Sequence, residues 1–430
     1  MTLSAPANEA LPTPAADLPA TSIPQPVADK ERIVSIDVLR GFALLGILAM
    51  NIQSFSMVGA AYFNPTAYGD LHGANYAVWL ACYLFADFKF MSIFSMLFGA
   101  GIFLMTSHVE ASGRPPAPLH YRRMGWLILF GLLHGFLLWD GDILYDYGMC
   151  GLLIFLFRKR QPGTLIILGC LIFTVTPLLL VGYHYSLQQS PPDKVRMDRE
   201  QFWQPTPAQV SDELATYRGS WLTQMKDRAP ETVRMKTLYF LTFSFWREAG
   251  LMLIGIALFK LGIFGAKRSA RLYATMIAVA ALVGLPITYY SVHHQIASGW
   301  AFPDAFIAGM QLNYVASLFV CLGLVGVIML VCKSSLFLPA TRRLAAVGRM
   351  AFSNYIFHTL VCTTLFYGHG FGLFGKVERV GQFAIVLAIW IFQLLLSPLW
   401  LRYFYFGPLE WLWRSLTYLQ WEPFRRPVTL

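Results

Sequence analysis

The sequence predicts an all-α polytopic membrane protein with about ten transmembrane helices. Three observations predict it. The 430 residues are 56% hydrophobic and only 13% charged, about half the charged fraction of an ordinary soluble domain. Ten apolar runs follow one another, most of them near the ~20 residues that cover a hydrocarbon core at 1.5 Å per residue. Lys and Arg gather in every second short loop, as the positive-inside rule demands.

Residues 1–31 are rich in Pro and Ala and predict a disordered N-terminal tail. This tail lacks the charged start and short apolar core of a signal peptide. The apolar runs lie at 34–57, 77–105, 121–139, 143–158, 163–185, 237–262, 270–292, 308–332, 344–367 and 381–405, giving a transmembrane domain over 32–413. The fourth run is short and would cross only with tilt or local thinning. Between runs five and six, 186–236 is long and balanced in charge. Its Trp203, Tyr217 and Trp221 predict a partly helical cap lying on the outer membrane surface. Residues 414–430 are read as a cytoplasmic tail.

One set of loops holds Arg114, Arg122, Arg123, Arg158, Lys159, Arg160, Lys260, Lys267, Arg268, Arg271, Lys333, Arg342, Arg343 and Arg349; the other short loops hold only Lys376 and Arg379. Fourteen against two puts both termini in the cytoplasm. The same distribution explains the net charge of +10 as topology and attraction to anionic headgroups, with no nucleic-acid footprint. The six cysteines form no CxxC pair and lie in or beside apolar runs. They read as packing residues, with neither a disulfide framework nor a zinc site.

Polar side chains within the apolar runs are the candidate functional groups, because burying them in lipid is costly. Asp37 and Arg40 share a face at the inner end of the first run, either as a structural pair or with Arg40 meeting an anionic ligand. Asn51 lies near its outer end, as an interhelical hydrogen-bonder or an oxyanion donor. Lys89 is expected about twelve residues into the second helix, or about 18 Å deep, lining a cavity. His134 lies in the third run, with Asp140, Asp142 and Asp146 just beyond it. A carboxylate there would orient the imidazole as a general base. Arg247 and Glu248 are adjacent in the sixth run, about 100° apart, and should partner different helices. Asn354 and His358 share a face in the ninth run. No HxxxH or ExxH spacing around His358 supports a metal site.

The segments SIDVLRGFALLGILAMN, FKFMSIFSMLFGAG, FGLLHGFLLWDGDILYDYGMCGLL, AGLMLIGIALFKLGI and VGRMAFSNYIFHTLVCTTLFY resemble, in this order, the YeiB-like family (DUF418) of bacterial inner-membrane proteins of unknown function. The resemblance spans Arg32 to about Trp413. That family is similar to the transmembrane acyltransferase superfamily, with the heparan-alpha-glucosaminide N-acetyltransferases and the envelope O-acetyltransferases. The resemblance implies helices around a central cavity, acyl-CoA (acetyl-CoA) entering from the cytoplasm, and an envelope sugar or lipid as acceptor on the far side. Envelope O-acetyltransferases place a catalytic His eleven residues after an Arg. Arg40 fits, but the eleventh residue here is Asn51. The heparan-acetylating branch has Asn there too and takes its His from the next outer loop, where this chain offers His72, further along than that pattern has it.

Two function classes follow. In acyl transfer, His134 oriented by Asp142 would deprotonate a hydroxyl or amine, with His72 as the second candidate base. Asn51 or Lys89 would stabilise the oxyanion, and Arg40 with the basic loops would hold CoA phosphates. In transport of a small solute, Lys89, Arg247 and Glu248 would be the coupling charges; no internal repeat is visible in support. A lipid-binding or assembly role is a third reading. Membrane lipids are the expected surroundings, and the sequence leaves a homodimer open.

Overall fold

The computed structural model describes residues 32–427; the predicted tail at 1–31 and residues 428–430 lie outside the described residues. In chain order the first helices are α1 (Val34–Ser56), α2 (Ala60–Phe63), α3 (Gly73–Phe85), α4 (Lys89–Ala111), α5 (Ala117–Leu137), α6 (Leu144–Ile154), α7 (Pro162–Phe173) and α8 (Val175–Gln188). Three short helices follow, α9 (Pro192–Phe202), α10 (Pro207–Tyr217) and α11 (Trp221–Arg234). Then come α12 (Phe245–Lys260), α13 (Ala270–Val279), α14 (Leu285–Ala297), α15 (Asp304–Lys333), α16 (Leu338–Arg349), α17 (Ala351–Phe366), α18 (Arg379–Tyr403) and α19 (Pro408–Tyr418). Among the described residues, strand-like pairing is confined to a single bridge between Phe404 and Arg425.

Seven segments are long and apolar enough to cross a membrane: Val34–Ser56, Gly73–Ala111, Pro162–Gln188, Trp221–Lys260, Ala270–Ala297, Asp304–Lys333 and Arg379–Tyr403. The other three predicted runs fall short by length or composition. The run at 121–139 sits on α5, which carries Arg122 and Arg123. That at 143–158 is α6, 11 residues continued by one 3₁₀ turn. That at 344–367 breaks at Met350 between α16 and α17.

Two further boundaries differ from the sequence reading. The second run is not one helix. It breaks at Asp87–Phe88, where Phe88 takes a left-handed φ of 62°, a conformation costly for a bulky residue. Lys89 therefore opens α4 and does not sit deep within an unbroken helix. The loop expected to end at 236 runs instead as α11 straight into α12, through a π-helical stretch at Met235–Ser244. Such wide turns are rare and recur at functional sites. In the cap, Thr206 and Gln209 form a capping box that starts α10. Trp203 is buried, donating from Nε1 to the Trp300 carbonyl at 2.7 Å.

Close backbone approach holds the bundle together. A Cβ on Gly99 would meet the Met252 carbonyl at 2.2 Å, and one on Gly255 the Met96 carbonyl at 2.0 Å, so α4 and α12 touch main chain to main chain. Gly250 packs against the Gly169 carbonyl and fixes α12 to α7 in the same way. Gly41 and Gly348 do this for α1 and α16. Small residues at crossings let dispersion act at short range where lipid offers no hydrophobic drive. α12 is thereby enclosed: Arg247 through Leu258 is buried without interruption.

Candidate functional site

The α5–α6 hairpin brings the main candidates together. Gly131 permits the fold-back, because a Cβ there would meet the Tyr145 amide nitrogen at 2.2 Å. The reversal sets Asp142 opposite His134, eight residues earlier. His134 Nδ1 lies 2.8 Å from Asp142 Oδ1, and Nε2 lies 2.9 Å from Thr359 Oγ1 on α17. Asp142 Oδ2 accepts from the Tyr145 amide at 2.9 Å. A carboxylate only accepts, so the imidazole proton belongs on Nδ1 and Nε2 is left as acceptor, facing the Thr359 hydroxyl. His134, Asp142 and Thr359 are 3%, 4% and 0% exposed. The Tyr355 ring lies 5.3 Å from the imidazole.

Lys236, from the π-helical stretch, closes the other side. Its Nζ donates to the Asp142 carbonyl and to Asp146 Oδ1 at 3.1 Å, and stands 3.4 Å from Asp142 Oδ2. A bridging ammonium between two carboxylates satisfies charges that the apolar interior could not otherwise hold. One step deeper, Glu248 is buried and its Oε2 has no hydrogen-bond partner among the described residues.

Arg247, next to Glu248, faces a different seam. Its Nη2 donates to Ser92 Oγ at 2.7 Å, Ser317 Oγ at 2.9 Å and the Phe88 carbonyl at 3.0 Å. The guanidinium lies over the rings of Tyr314 at 4.5 Å and Phe88 at 4.7 Å, a favourable cation–π arrangement. Lys89 occupies the same seam, donating to Asn313 Oδ1 at 2.5 Å and the Tyr83 carbonyl at 2.6 Å. Asn313 donates in turn to Asp87 Oδ2 at 2.6 Å. Lys89 and His134 share no partner. They occupy two neighbouring networks that meet at α12 and through Ser95 on α4, bonded to Tyr147 on α6 at 2.8 Å.

The remaining sequence candidates are dispersed. Asp37 accepts from Arg40 Nη1 at 2.9 Å and from Arg32 Nε at 3.1 Å, away from the histidine. Asn51 is half-buried on α1. His72 is a surface residue paired with Asp70 at 2.8 Å, with its side chain 94% exposed, unlike the buried His134. Asp140 sits in the α5–α6 turn, where burial and the nearby Glu231 push its carboxyl up to about 6. Asn354 and His358 face α18: Asn354 bonds Ser397 Oγ at 3.1 Å, and His358 bonds Gln393 Oε1 at 2.8 Å. Both read as interhelical hydrogen bonds. Among the described residues no group of three or more metal-ligating side chains converges.

Sequence reasoning missed Lys236, Thr359 and Asn313. Lys236 carried a signal, since it borders an apolar run directly. Asn313 carried one as well, an amide within the apolar run 308–332, whereas Thr359 carried none, because a threonine in a helix can bond its own backbone.

Comparisons with known proteins bear on the whole chain. The family model "Protein of unknown function (DUF418)" matches residues 258–420. The uncharacterized protein YeiB of Escherichia coli (strain K12) is 34% identical over 400 residues, covering 90% of this chain and 96% of that protein. The chain belongs to the DUF418 family. The uncharacterized protein YxaH of Bacillus subtilis (strain 168) is 31% identical over 424 residues, covering 93% of this chain and 97% of that one. The family match takes in Thr359 but begins after His134, Asp142 and Lys236, whereas these DUF418 relatives align across all four.

Proposed function

We propose that the protein is a membrane acyltransferase in which His134 is the general base. The observation that carries this reading is the line Asp142–His134–Thr359. A buried carboxylate fixes the imidazole tautomer, and the free Nε2 already accepts from a hydroxyl. An acceptor hydroxyl or amine taking the place of the Thr359 hydroxyl would lose its proton to Nε2 and attack a thioester carbonyl. The resemblance to the transmembrane acyltransferases supplies the substrate class: acetyl-CoA or a longer acyl-CoA as donor, an envelope sugar or lipid as acceptor. The count of basic residues supports a bacterial inner-membrane location with both termini cytoplasmic. In that orientation Arg40 and Arg32 face the donor's side. Asn51 or Lys89 would stabilise the oxyanion; Lys89 is hydrogen-bonded to Asn313 and the Tyr83 carbonyl in the neighbouring seam.

Calorimetric titration of the purified protein with acetyl-CoA tests the reading. Binding should be retained in His134→Gln, while turnover of the thioester, read by free thiol, is lost. Absence of binding at millimolar acetyl-CoA would overturn it. A second reading, transport of a small solute, is favoured by the break between α3 and α4, which carries Asp87, Lys89 and Asn313 at its edge. Interrupted helices with charged groups at the break are a transporter device. Lys89-dependent uptake into proteoliposomes without an acylated product would select it.

A further inference from the structure

Buried polar atoms nearly always find a partner, so each exception calls for an explanation. Two such exceptions belong to one cavity. Gln53 Oε1 on α1 and Arg379 Nε on α18 are buried and have no hydrogen-bond partner among the described residues. Both side chains line a small cavity between α1, α3 and α18, together with Gln382. Its remaining walls include Ala49 of α1 and Trp79 and Cys82 of α3. Gln53 is 5% exposed, and Gln382 and Arg379 are 1% exposed.

The other polar atoms of these side chains show what the cavity has to offer. Arg379 Nη1 donates to the Asp70 carbonyl at 2.7 Å, and Nη2 donates to the carbonyls of Pro65 at 2.9 Å and Tyr68 at 3.3 Å. Its Nε–H remains as a donor. Gln382 donates from Nε2 to the Val377 carbonyl at 2.9 Å, which leaves its Oε1 to accept. The cavity thus brings together one N–H donor and two amide oxygens.

Size and polarity select the occupant. The volume is about 10 Å³, the order that one water needs and far too little for a sugar or a phosphate group. An anion there would meet the lone pairs of two amide oxygens. A cation would meet the guanidinium. A neutral molecule that both donates and accepts suits all three groups. Buried water commonly makes about three hydrogen bonds of this kind.

We propose that one ordered water occupies this cavity, accepting from Arg379 Nε and donating to Gln53 Oε1 and Gln382 Oε1. The water links α1 to α18 and completes the bonding of the arginine that holds the 65–70 turn. The proposal does not depend on the acyl-transfer reading.

A density map of the full chain in lipid nanodiscs, at a resolution that shows ordered water, tests it. One peak should lie about 2.5–3.2 Å from Arg379 Nε and from both amide oxygens. An empty cavity overturns the proposal, as does a direct Gln53–Arg379 bond that closes it. A bromide signal at the site in crystals grown in bromide also overturns it, because the occupant would then be an anion. Hydroxyl-radical footprinting gives a second readout. A short X-ray pulse makes radicals from bound water, and side chains touching that water are oxidised even where bulk solvent does not reach. Trp79 and Cys82 should be labelled in the native protein. A49V fills the cavity and should lower that labelling severalfold, with the exposed Trp421 as the unchanged reference. Val78→Ile, from the α3 wall, takes its place if A49V does not fold. Trp79 and Cys82 unlabelled in the native protein, or equally labelled in the folded variant, overturns the proposal.

Discussion

Replacing Lys236 by Met tests whether the lysine is the structural keystone of the histidine network. The side chain is 6% exposed and serves three acceptors: the Asp142 carbonyl, Asp146 Oδ1 at 3.1 Å and Asp142 Oδ2 at 3.4 Å. Met keeps the stem's volume and removes only the charge and its hydrogen bonds. Two buried carboxyl groups then face one another without their cation, which costs about 3–5 kcal/mol when one partner of a buried pair is deleted. At about 2 °C per kcal/mol, the low end of the range because the chain is long, the melting temperature should fall by about 6–10 °C. Tryptophan fluorescence during heating in detergent measures this. Lys194→Met on α9, where the lysine is exposed, is the control and should change stability by less than about 0.5 kcal/mol. Adding Asp146→Asn to Lys236→Met should recover about 1–3 kcal/mol, the coupling expected of contacting groups. A Lys236→Met melting temperature within about 1 °C of native would refute the argument, because a buried bridging charge cannot be removed at no cost.

Three further outcomes are expected. Gly348→Ala places a Cβ 1.9 Å from the Asp37 carbonyl, so α1 and α16 must separate and stability should fall by about 1–3 kcal/mol or more; Gly163→Ala, with open space around it, should be silent in the same melt. Glu410 on α19 accepts from the Phe352 and Ser353 amides at 2.6 and 3.1 Å, capping the start of α17 from outside. Glu410→Ala should cost about 1–2 kcal/mol and speed hydrogen exchange in the first turn of α17. Glu213 on α10 accepts from the Gly59 amide at 2.8 Å, and burial pushes its carboxyl up to about 7, from an ordinary value of 4.5. The folded state therefore binds this proton more tightly than the unfolded one. Docking of α10 should tighten as pH falls from 8 through 7 and level off below 4.5. Hydrogen exchange of 207–217, corrected for the intrinsic pH effect, should show this in the native protein and not in Glu213→Gln.

What could be read in the sequence was whatever is local. His134 and Asp142 are eight residues apart on two sides of a tight reversal, so their pairing follows from the turn. That Arg247 and Glu248 face different seams follows from the ~100° between adjacent helical residues. Lys236 was hidden by its neighbourhood: it follows a polar stretch, and only the unbroken passage of α11 into α12 carries it inward. Thr359 is 225 residues from His134, and nothing periodic links them. The break after α3 was masked by hydropathy, since Asp87 and Lys89 flank Phe88 within an otherwise apolar run. Counting apolar runs gave three segments beyond the seven that length and apolarity single out, because α5 carries two arginines, α6 is short and the ninth run breaks at Met350.

The glycine contacts of α12 differ in kind from the contacts around His134. On that flank, main chain presses directly on main chain at Gly99, Gly250 and Gly255, with no side chain there to swing aside. Opposite it, α5 meets α17 through Phe130 against Phe352, His134 against Tyr355, and the hydroxyl of Thr359. Those rings and that hydroxyl can change rotamer without moving either backbone. The crossings of α12 are thus set by main chain against main chain, whereas the seam of α5 and α17 around the imidazole is built of side chains.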